Sequence, residues 1–296
     1  MRFVIAGASG LLGTALRDRL AGEGHEVVRL VRGRQETASE SSWDPYAGRL
    51  DQSVIDGADV VVCLSGAPLA HWPWTESYKK TFTDSRVRTT RTLAEAVAAS
   101  PRKPVLLAQN GIAGYGDRGD TVLTEESDTD APTFMGGVTR QWEEATRPAA
   151  EAGARVVVLR SSVVLDRRGG ALKPLRLVFQ AGAGGPLGSG DQYFSTISAQ
   201  DWVRAVIFLA GRDDCSGPIN VSGPNPTTNA EFGQELARIL HRPAVLRVPA
   251  WPIRAALADI SSELLSSTRV EPAQLLAAGF EFDHPTLHDR LVAALG

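Results

Sequence analysis

The first two dozen residues constrain this chain more than any others. Phe3 to Ala6 is a short, continuous apolar run, the pattern of a parallel strand covered on both faces. It leads directly into Gly7-Ala8-Ser9-Gly10-Leu11-Leu12-Gly13. Leu11, Leu12, Ala15, Leu16 and Leu20 then recur at helical spacing until Gly22 and Gly24 end the helix. A Gly-x-x-Gly-x-x-Gly string alone is a weak signal, but between a strand and a helix it has a defined use. Gly7 permits the tight turn, Gly10 lets the backbone approach a diphosphate with no Cβ in the way, and Gly13 allows close helix–strand packing. The backbone from Ser9 through Leu11, Leu12 and Gly13 then offers N–H groups and a helix dipole to the phosphates. The motif predicts a dinucleotide cofactor.

The tip of the second strand, Val27 to Val31, selects which one. NAD-binding folds tend to place Asp or Glu there to hold the ribose hydroxyls. This chain has Arg32-Gly33-Arg34 instead. With no carboxylate and two guanidiniums to pair with a 2′-phosphate, Arg32 and Arg34 predict NADP.

Further strands are expected at Asp59–Leu64, Val105–Ala108 and Arg155–Leu159, with helices at Thr75–Ala99 and Gln141–Ala152. This alternation implies a doubly wound parallel α/β sheet with right-handed crossovers. It loosens after residue 165, which divides the chain into a dinucleotide-binding domain over 1–165 and a substrate-side lobe over 166–296. In the second part Gly182 to Gly190 reads as a loop. Helices are expected at Asp201–Ala210, Ala230–Leu240, Ile253–Leu265, Pro272–Ala278 and Thr286–Leu295, with short strands at Ile219–Val221 and Val245–Val248. The result is a smaller C-terminal α/β lobe over the open edge of the sheet.

Composition narrows the partners. A net charge of −3 with scattered Arg and Lys gives no reason to expect nucleic acid or an anionic membrane. No run of about 20 apolar residues could span a bilayer. Cys63 and Cys215 form no disulfide framework and suit a reducing compartment, so a cytoplasmic location is expected. The five histidines have no spacing typical of a metal site.

Beyond the glycine turn, a series of segments occurs in a telling order. Leu64-Ser65-Gly66 is followed by Trp74-Thr75 with Lys79, then by Asp84-Ser85-Arg86 and Thr89. Gly114-Tyr115-Gly116, Thr124-Glu125-Glu126 and Trp142-Glu143 come next. Leu159-Arg160 to Val164-Leu165, Gly169-Gly170-Ala171-Leu172 and the run Gly184 to Gly190 lead to Gln192 and Ser195. Phe232, His241-Arg242-Pro243, Pro249-Ala250 and Gly279-Phe280 close the series. Across essentially its whole length the chain resembles an atypical group of extended short-chain dehydrogenases, the NAD-dependent epimerase/dehydratase-like proteins with a characteristic C-terminal segment. The resemblance implies a Rossmann fold, with Leu64, Ser65 and Gly66 beside the cofactor. It also offers Arg86 for orienting the cofactor or capping a sheet edge, Arg160 for contact near the nicotinamide, and a substrate lid around Gln192 and Ser195. By fold analogy, the long helices at Thr75–Ala99 and Gln141–Ala152 would form a homodimer interface. Two stretches depart from the group's pattern, His71-Trp72-Pro73 and Ala108 to Ala113, and both fall where substrate is expected.

Ordinary short-chain dehydrogenases carry a Tyr-x-x-x-Lys helix face, in which the Lys charge lowers the Tyr pKa for proton exchange with an alcohol or carbonyl. Counting back from Trp142-Glu143, those positions are Met135 and Thr139, and none of Tyr46, Tyr78, Tyr115 and Tyr193 has Lys four residues on. Tyr115, on the loop after the fourth expected strand, is the candidate substitute, with packing between two glycines as its other reading. Glu125 on the same loop is a second acid, or a cap. Two functions follow. One is an NADP-dependent oxidoreductase or epimerase acting on a small-molecule substrate, sugar-like or a small carbonyl, with an unconventional acid/base. The other is a non-catalytic NADP-binding sensor.

Overall fold

The computed structural model describes residues 1–244 and 246–296, and the side chains of all of these except 256–258. The chain opens with β1 (Arg2–Ala6), α1 (Leu11–Gly22) and β2 (Glu26–Val31). A short β3 (Glu40–Ser42) precedes β4 (Val60–Cys63), α2 (Glu76–Ala99) and β5 (Val105–Gly111). Then come α3 (Phe134–Glu144), β6 (Val156–Ser161), α4 (Ala199–Ala210) and β7 (Gly217–Val221). The seven strands form one sheet in the order β7-β6-β5-β4-β1-β2-β3. β1 lies parallel to β2 on one side and to β4 on the other, and β4 lies parallel to β5. This is the doubly wound α/β arrangement expected from the alternation. The order reverses beside β1, so the glycine turn leaves the sheet at its switch point.

Local chemistry accounts for the elements. Residues Phe3 to Ala6 and Val60 to Cys63 are almost fully buried, which is why both runs are continuously apolar. Thr75 caps α2, its side chain accepting the Tyr78 amide. The helix expected over Gln141–Ala152 is two helices. α3 starts earlier, hidden in the sequence by Gly136 and Gly137, and ends at Glu144, and Arg147–Glu151 follows with Pro148 in its first turn. β3 was not anticipated: Glu40-Ser41-Ser42 is polar, as edge strands often are. The helix Leu172–Gln180 was also missed, because Pro174 in its first turn reads as a break. In place of one helix over Ile253–Leu265 there are Ala250–Leu257, a 3-10 turn at Ala258–Ile260, and Ser262–Leu265. Of the strand expected at Val245–Val248, Val245 lies outside the described residues, and Val248 forms an isolated parallel bridge with Leu187.

The residues group into two compact units. The first comprises Met1–Asn110, Gln141–Leu159 and Val206–Pro218. Its core sets Val4, Val28, Val61 and Leu106 of the sheet against Leu93 and Val97 of α2. The second comprises Gly111–Arg140, Arg160–Ala205 and Ile219–Gly296. Its core joins Leu172 and Phe179 to Phe194, Phe232, Leu236 and Leu291. A capping box, Thr228 with Glu231, starts the helix Asn229–Leu240, and a second, Thr286 with Asp289, starts Leu287–Leu295. Among the described residues no helix is long and apolar enough to cross a membrane.

Candidate functional site

Within the first unit a cleft of about 580 Å³ opens over the glycine turn. That lies within the roughly 300–1,000 Å³ typical of small-molecule and cofactor sites. Gly7, Ser9, Gly10, Arg32, Leu64, Ser65 and Gly66 line it, bringing together seven of the residues expected to bind cofactor. The three glycines divide their work. Gly7 has φ +82°, and a Cβ there would sit 2.6 Å from the Leu64 carbonyl carbon. A Cβ on Gly13 would lie 2.2 Å from the Gly7 oxygen. Both are bare because the protein's own backbone fills the space. At Gly10 the nearest atom to a Cβ would be the Gly7 oxygen at 3.4 Å, an ordinary contact. No neighbouring atom requires glycine at 10, and its bareness leaves the cleft open at that point. Gly10 is also the N-cap of α1 and offers no side chain to the first-turn amides, and that turn carries no acidic residue. Those amides, which include Leu11 and Leu12, and the positive end of the dipole are left for an anion.

At the tip of β2, Arg29 also lines the cleft, but it is committed to Glu40 at 2.7 Å. Glu40 in turn accepts the Glu36 and Thr37 amides at 2.8 and 3.1 Å, which holds its carboxyl below its usual range. The Glu40 carboxylate, opposite Arg29 in the register of β2 and β3, is therefore consumed by its own turn and the neighbouring strand. Arg32 lines the cleft and Arg34 stands exposed outside it. Among the described residues neither has an acidic partner. Trp43 and Tyr46 add an aromatic wall that the sequence did not suggest, because they follow the unanticipated β3.

Arg86 does not line the cleft; it holds the loop that does. Its guanidinium donates to the Ala67 carbonyl at 3.1 Å and the Phe82 carbonyl at 3.1 Å, and lies 3.4 Å from the Phe82 ring centroid. Burial pushes its pKa down to about 10, which leaves it charged at neutral pH. The neighbouring Ser85 hydroxyl accepts the Ala67 amide at 2.8 Å. One turn of α2 thus grips both backbone groups of Ala67 and fixes Leu64-Ser65-Gly66.

The remaining candidates lie in the second unit. Tyr115 is fully buried; its hydroxyl donates to Asn220 Oδ1 at 2.7 Å and accepts from Arg160 Nη1 at 3.1 Å. Burial pushes the phenol pKa up. A proton donor has to reach its substrate, and this hydroxyl is enclosed by its two partners. Arg160, itself buried, is brought together with Tyr115. Glu125 accepts the Asn220 amide at 3.0 Å and the Gln274 amide at 3.3 Å, the second as a cap on the helix Ala273–Ala277. Met135 and Thr139 are buried on α3, and Thr139 donates to the Gly136 carbonyl. Gln192 ties the Gly182–Gly190 loop down, donating to the Leu187 carbonyl at 3.0 Å and the Leu264 carbonyl at 3.3 Å.

Comparison with known proteins bears on the whole chain. The model of the NAD dependent epimerase/dehydratase family matches residues 3–222, and a domain of unknown function, DUF1731, matches residues 248–294. Epimerase family protein Mb2239 of Mycobacterium bovis is 40% identical over 288 residues, which cover 97% of this chain and 95% of that protein. The crystal structure of human epimerase family protein SDR39U1 (isoform 2) with NADPH superposes with a TM-score of 0.90 at 29% identity, covering 100% of both chains. A nucleoside-diphosphate sugar epimerase from Corynebacterium glutamicum is 34% identical with a TM-score of 0.82, and this chain spans 58% of its length.

Proposed function

The chain belongs to the NAD dependent epimerase/dehydratase family, and on that premise we propose that it is an NADP-dependent oxidoreductase or epimerase acting on a small carbonyl or sugar-like substrate. One observation carries the choice of cofactor: Arg32, just past the end of β2, lines the cleft with no acidic partner among the described residues, while Glu40 of the neighbouring β3 is taken up by Arg29 and two backbone amides. A ribose diol would find no free carboxylate there, and a 2′-phosphate would find a free guanidinium. The human relative was crystallised with NADPH, which supports the same reading. The first-turn amides of α1 would take the diphosphate over the bare Gly10, and Trp43 and Tyr46 would flank the adenine end. When bound, the cofactor supplies hydride exchange; the chain's own residues orient it and keep water from the face they cover. Tyr115 takes a structural role in this reading, fastening the loop after β5 to Asn220. The protein would work in the cytoplasm, as a homodimer packed through α2 and the helical stretch Gln141–Ala152.

The test is calorimetry with NADPH and NADH. Arg32→Ala should raise the Kd for NADPH by roughly tenfold to a hundredfold, the equivalent of about 1.5–3 kcal/mol for one charged hydrogen-bonding partner, and leave NADH almost unchanged. Equal losses for both dinucleotides would remove the argument.

A second reading, a sensor that binds NADP without turnover, is favoured by Met135 and Thr139, which leave α3 with no acid or base at the usual dyad positions. Tight NADPH binding with no oxidation across a broad carbonyl panel is its signature.

A further inference from the structure

The aromatic wall of the cleft comes from one tight turn within the first unit. Trp43-Asp44-Pro45-Tyr46 opens it directly after β3, and Arg49 closes it. Asp44 Oδ1 accepts the Tyr46 and Ala47 amides at 3.0 and 3.1 Å, and Asp44 Oδ2 pairs with Arg49 at 3.1 Å. The Asp44 and Arg49 backbones exchange hydrogen bonds of 2.7 and 2.9 Å, and Gly48 takes up the φ of +64° that the turn needs. The two aromatics of the turn both line the cleft, but their surroundings differ. Trp43 is 4% exposed and packs in the core of the unit. Tyr46 is 38% exposed, and among the described residues its hydroxyl has no hydrogen-bond partner. Trp43 is committed to the fold; the Tyr46 ring is open to a ligand.

Helix α2 holds this turn as well as the loop after β4. Thr92 Oγ1 donates to the Pro45 carbonyl at 2.9 Å. Arg88, one turn earlier, donates from Nη2 to the Tyr46 carbonyl at 3.3 Å, and its guanidinium carbon lies over the Tyr46 ring at 5.4 Å from the centroid. That is inside the reach of about 6 Å within which a cation and a ring attract. Among the described residues Arg88 has no acidic partner. Ser85 and Arg86 hold Ala67, so neighbouring turns of one helix fix two parts of the cleft wall. The turn is also tied to the strand that carries Arg32, since the Trp43 amide donates to the Val31 carbonyl at 2.9 Å. In an NADP molecule the 2′-phosphate and the adenine share one ribose. A phosphate at Arg32 therefore brings the base to the neighbouring turn, where an open aromatic ring waits.

We propose that Tyr46 binds the cofactor through its ring, as the platform on which the adenine base stacks, and that Arg88 is the residue that positions this ring. The proposal rests on the NADP-binding reading above. It assigns the base to a face contact, which depends on the ring and not on the tyrosine hydroxyl. It also separates two tasks at this end of the cleft: Arg32 distinguishes a 2′-phosphate from a 2′-hydroxyl, whereas Tyr46 holds the base that NADPH and NADH have in common.

Two measurements on the full chain test this. The first is calorimetry with NADPH, NADH and adenosine 2′,5′-bisphosphate. Tyr46→Ala should raise the Kd of all three by the same factor, roughly tenfold, and Tyr46→Phe should stay within about twofold of wild type. Arg88→Ala should weaken all three by roughly threefold, and Arg88→Lys should recover part of that. The second is ¹⁹F NMR of the protein labelled with 3-fluorotyrosine, in which the signal missing from Tyr46→Phe is that of Tyr46. Adenosine 2′,5′-bisphosphate should move this signal through the ring current of the stacked base, and inorganic phosphate should leave it in place. In Arg88→Ala the displacement at saturation should shrink. A Tyr46 signal that ignores the bisphosphate, or a Tyr46→Ala variant that binds all three ligands as tightly as wild type, overturns the proposal and leaves the NADP reading standing. A Tyr46→Phe variant as weak as Tyr46→Ala overturns it too, by moving the contact to the hydroxyl. An Arg88→Ala variant that matches wild type in both measurements removes the positioning role. A wild type that binds none of the three ligands ends the NADP reading itself.

Discussion

At the scale of single residues, the glycine turn separates what the fold needs from what a ligand needs. Gly13→Ala would drive a methyl to 2.2 Å from the Gly7 oxygen, with the Ala8 backbone at 2.8 Å, and neither neighbour can move without breaking the turn. Overpacking of that kind costs about 1–3 kcal/mol or more, so this variant should melt well below wild type. Gly10→Ala meets its nearest atom at 3.4 Å and should melt within a degree or two of wild type, while losing most of its affinity for NADPH. Thermal melts paired with calorimetry on the two variants distinguish these outcomes; parallel losses of stability and affinity in both would mean that Gly10 is structural too. All three glycines were legible in the sequence, because strand, turn and helix are contiguous and each signal reinforces the next. Arg32 was legible for the same reason. Arg29, Trp43 and Tyr46 were not. Arg29 sits inside an apolar strand where a cation reads as an exposed face, and the two aromatics reach the cleft only because β3 folds back beside β2.

At the scale of elements, the informative feature is the grip of α2 on the loop after β4. Ser85 and Arg86 are adjacent, and between them they satisfy the amide and the carbonyl of Ala67. On the proposed reading, Arg86 would act on a bound cofactor through the loop and not through the 2′-phosphate. Arg86→Ala should weaken NADPH and NADH by similar factors, about tenfold each for the loss of charged hydrogen bonds worth about 1.5–3 kcal/mol. That signature is the opposite of the one expected for Arg32→Ala, and calorimetry with the two dinucleotides reads both. A selective loss of NADPH in Arg86→Ala would place the guanidinium against the phosphate instead. The sequence showed Arg86 as a residue that orients or caps, and left the choice open because a helix pattern does not say which loop crosses its end. The same blindness explains the elements that were misread. α3 begins before the Gly136-Gly137 pair, where helix propensity is low, yet a Cβ on Gly136 would sit 2.4 Å from the Ala131 carbonyl oxygen, so close packing dictates glycine there.

At the scale of the whole molecule, stability should depend on pH in two directions at once. Arg238 and then His288 hold Glu235 down to about 2, and Asp166 and Asp289 are lowered by Arg168 and by the Thr286 cap respectively. Groups lowered on folding stabilise above their unfolded pKa, and that contribution is lost as pH falls through the folded value. Glu263 behaves in the reverse sense. Its folded pKa of about 7 lies above the ordinary 4.5, so the folded state binds its proton more tightly than the unfolded chain does. The contribution is complete below about 4.5 and is lost as pH rises to 7. Replacing the carboxyl by an amide removes only this second dependence. Glu263→Gln should therefore melt with wild type near pH 4, gain on it steadily between about 4.5 and 7, and keep a constant advantage above pH 8. Thermal melts across pH 4–9 measure this directly, and a pH-independent difference would mean the carboxyl is as well solvated when folded as when unfolded.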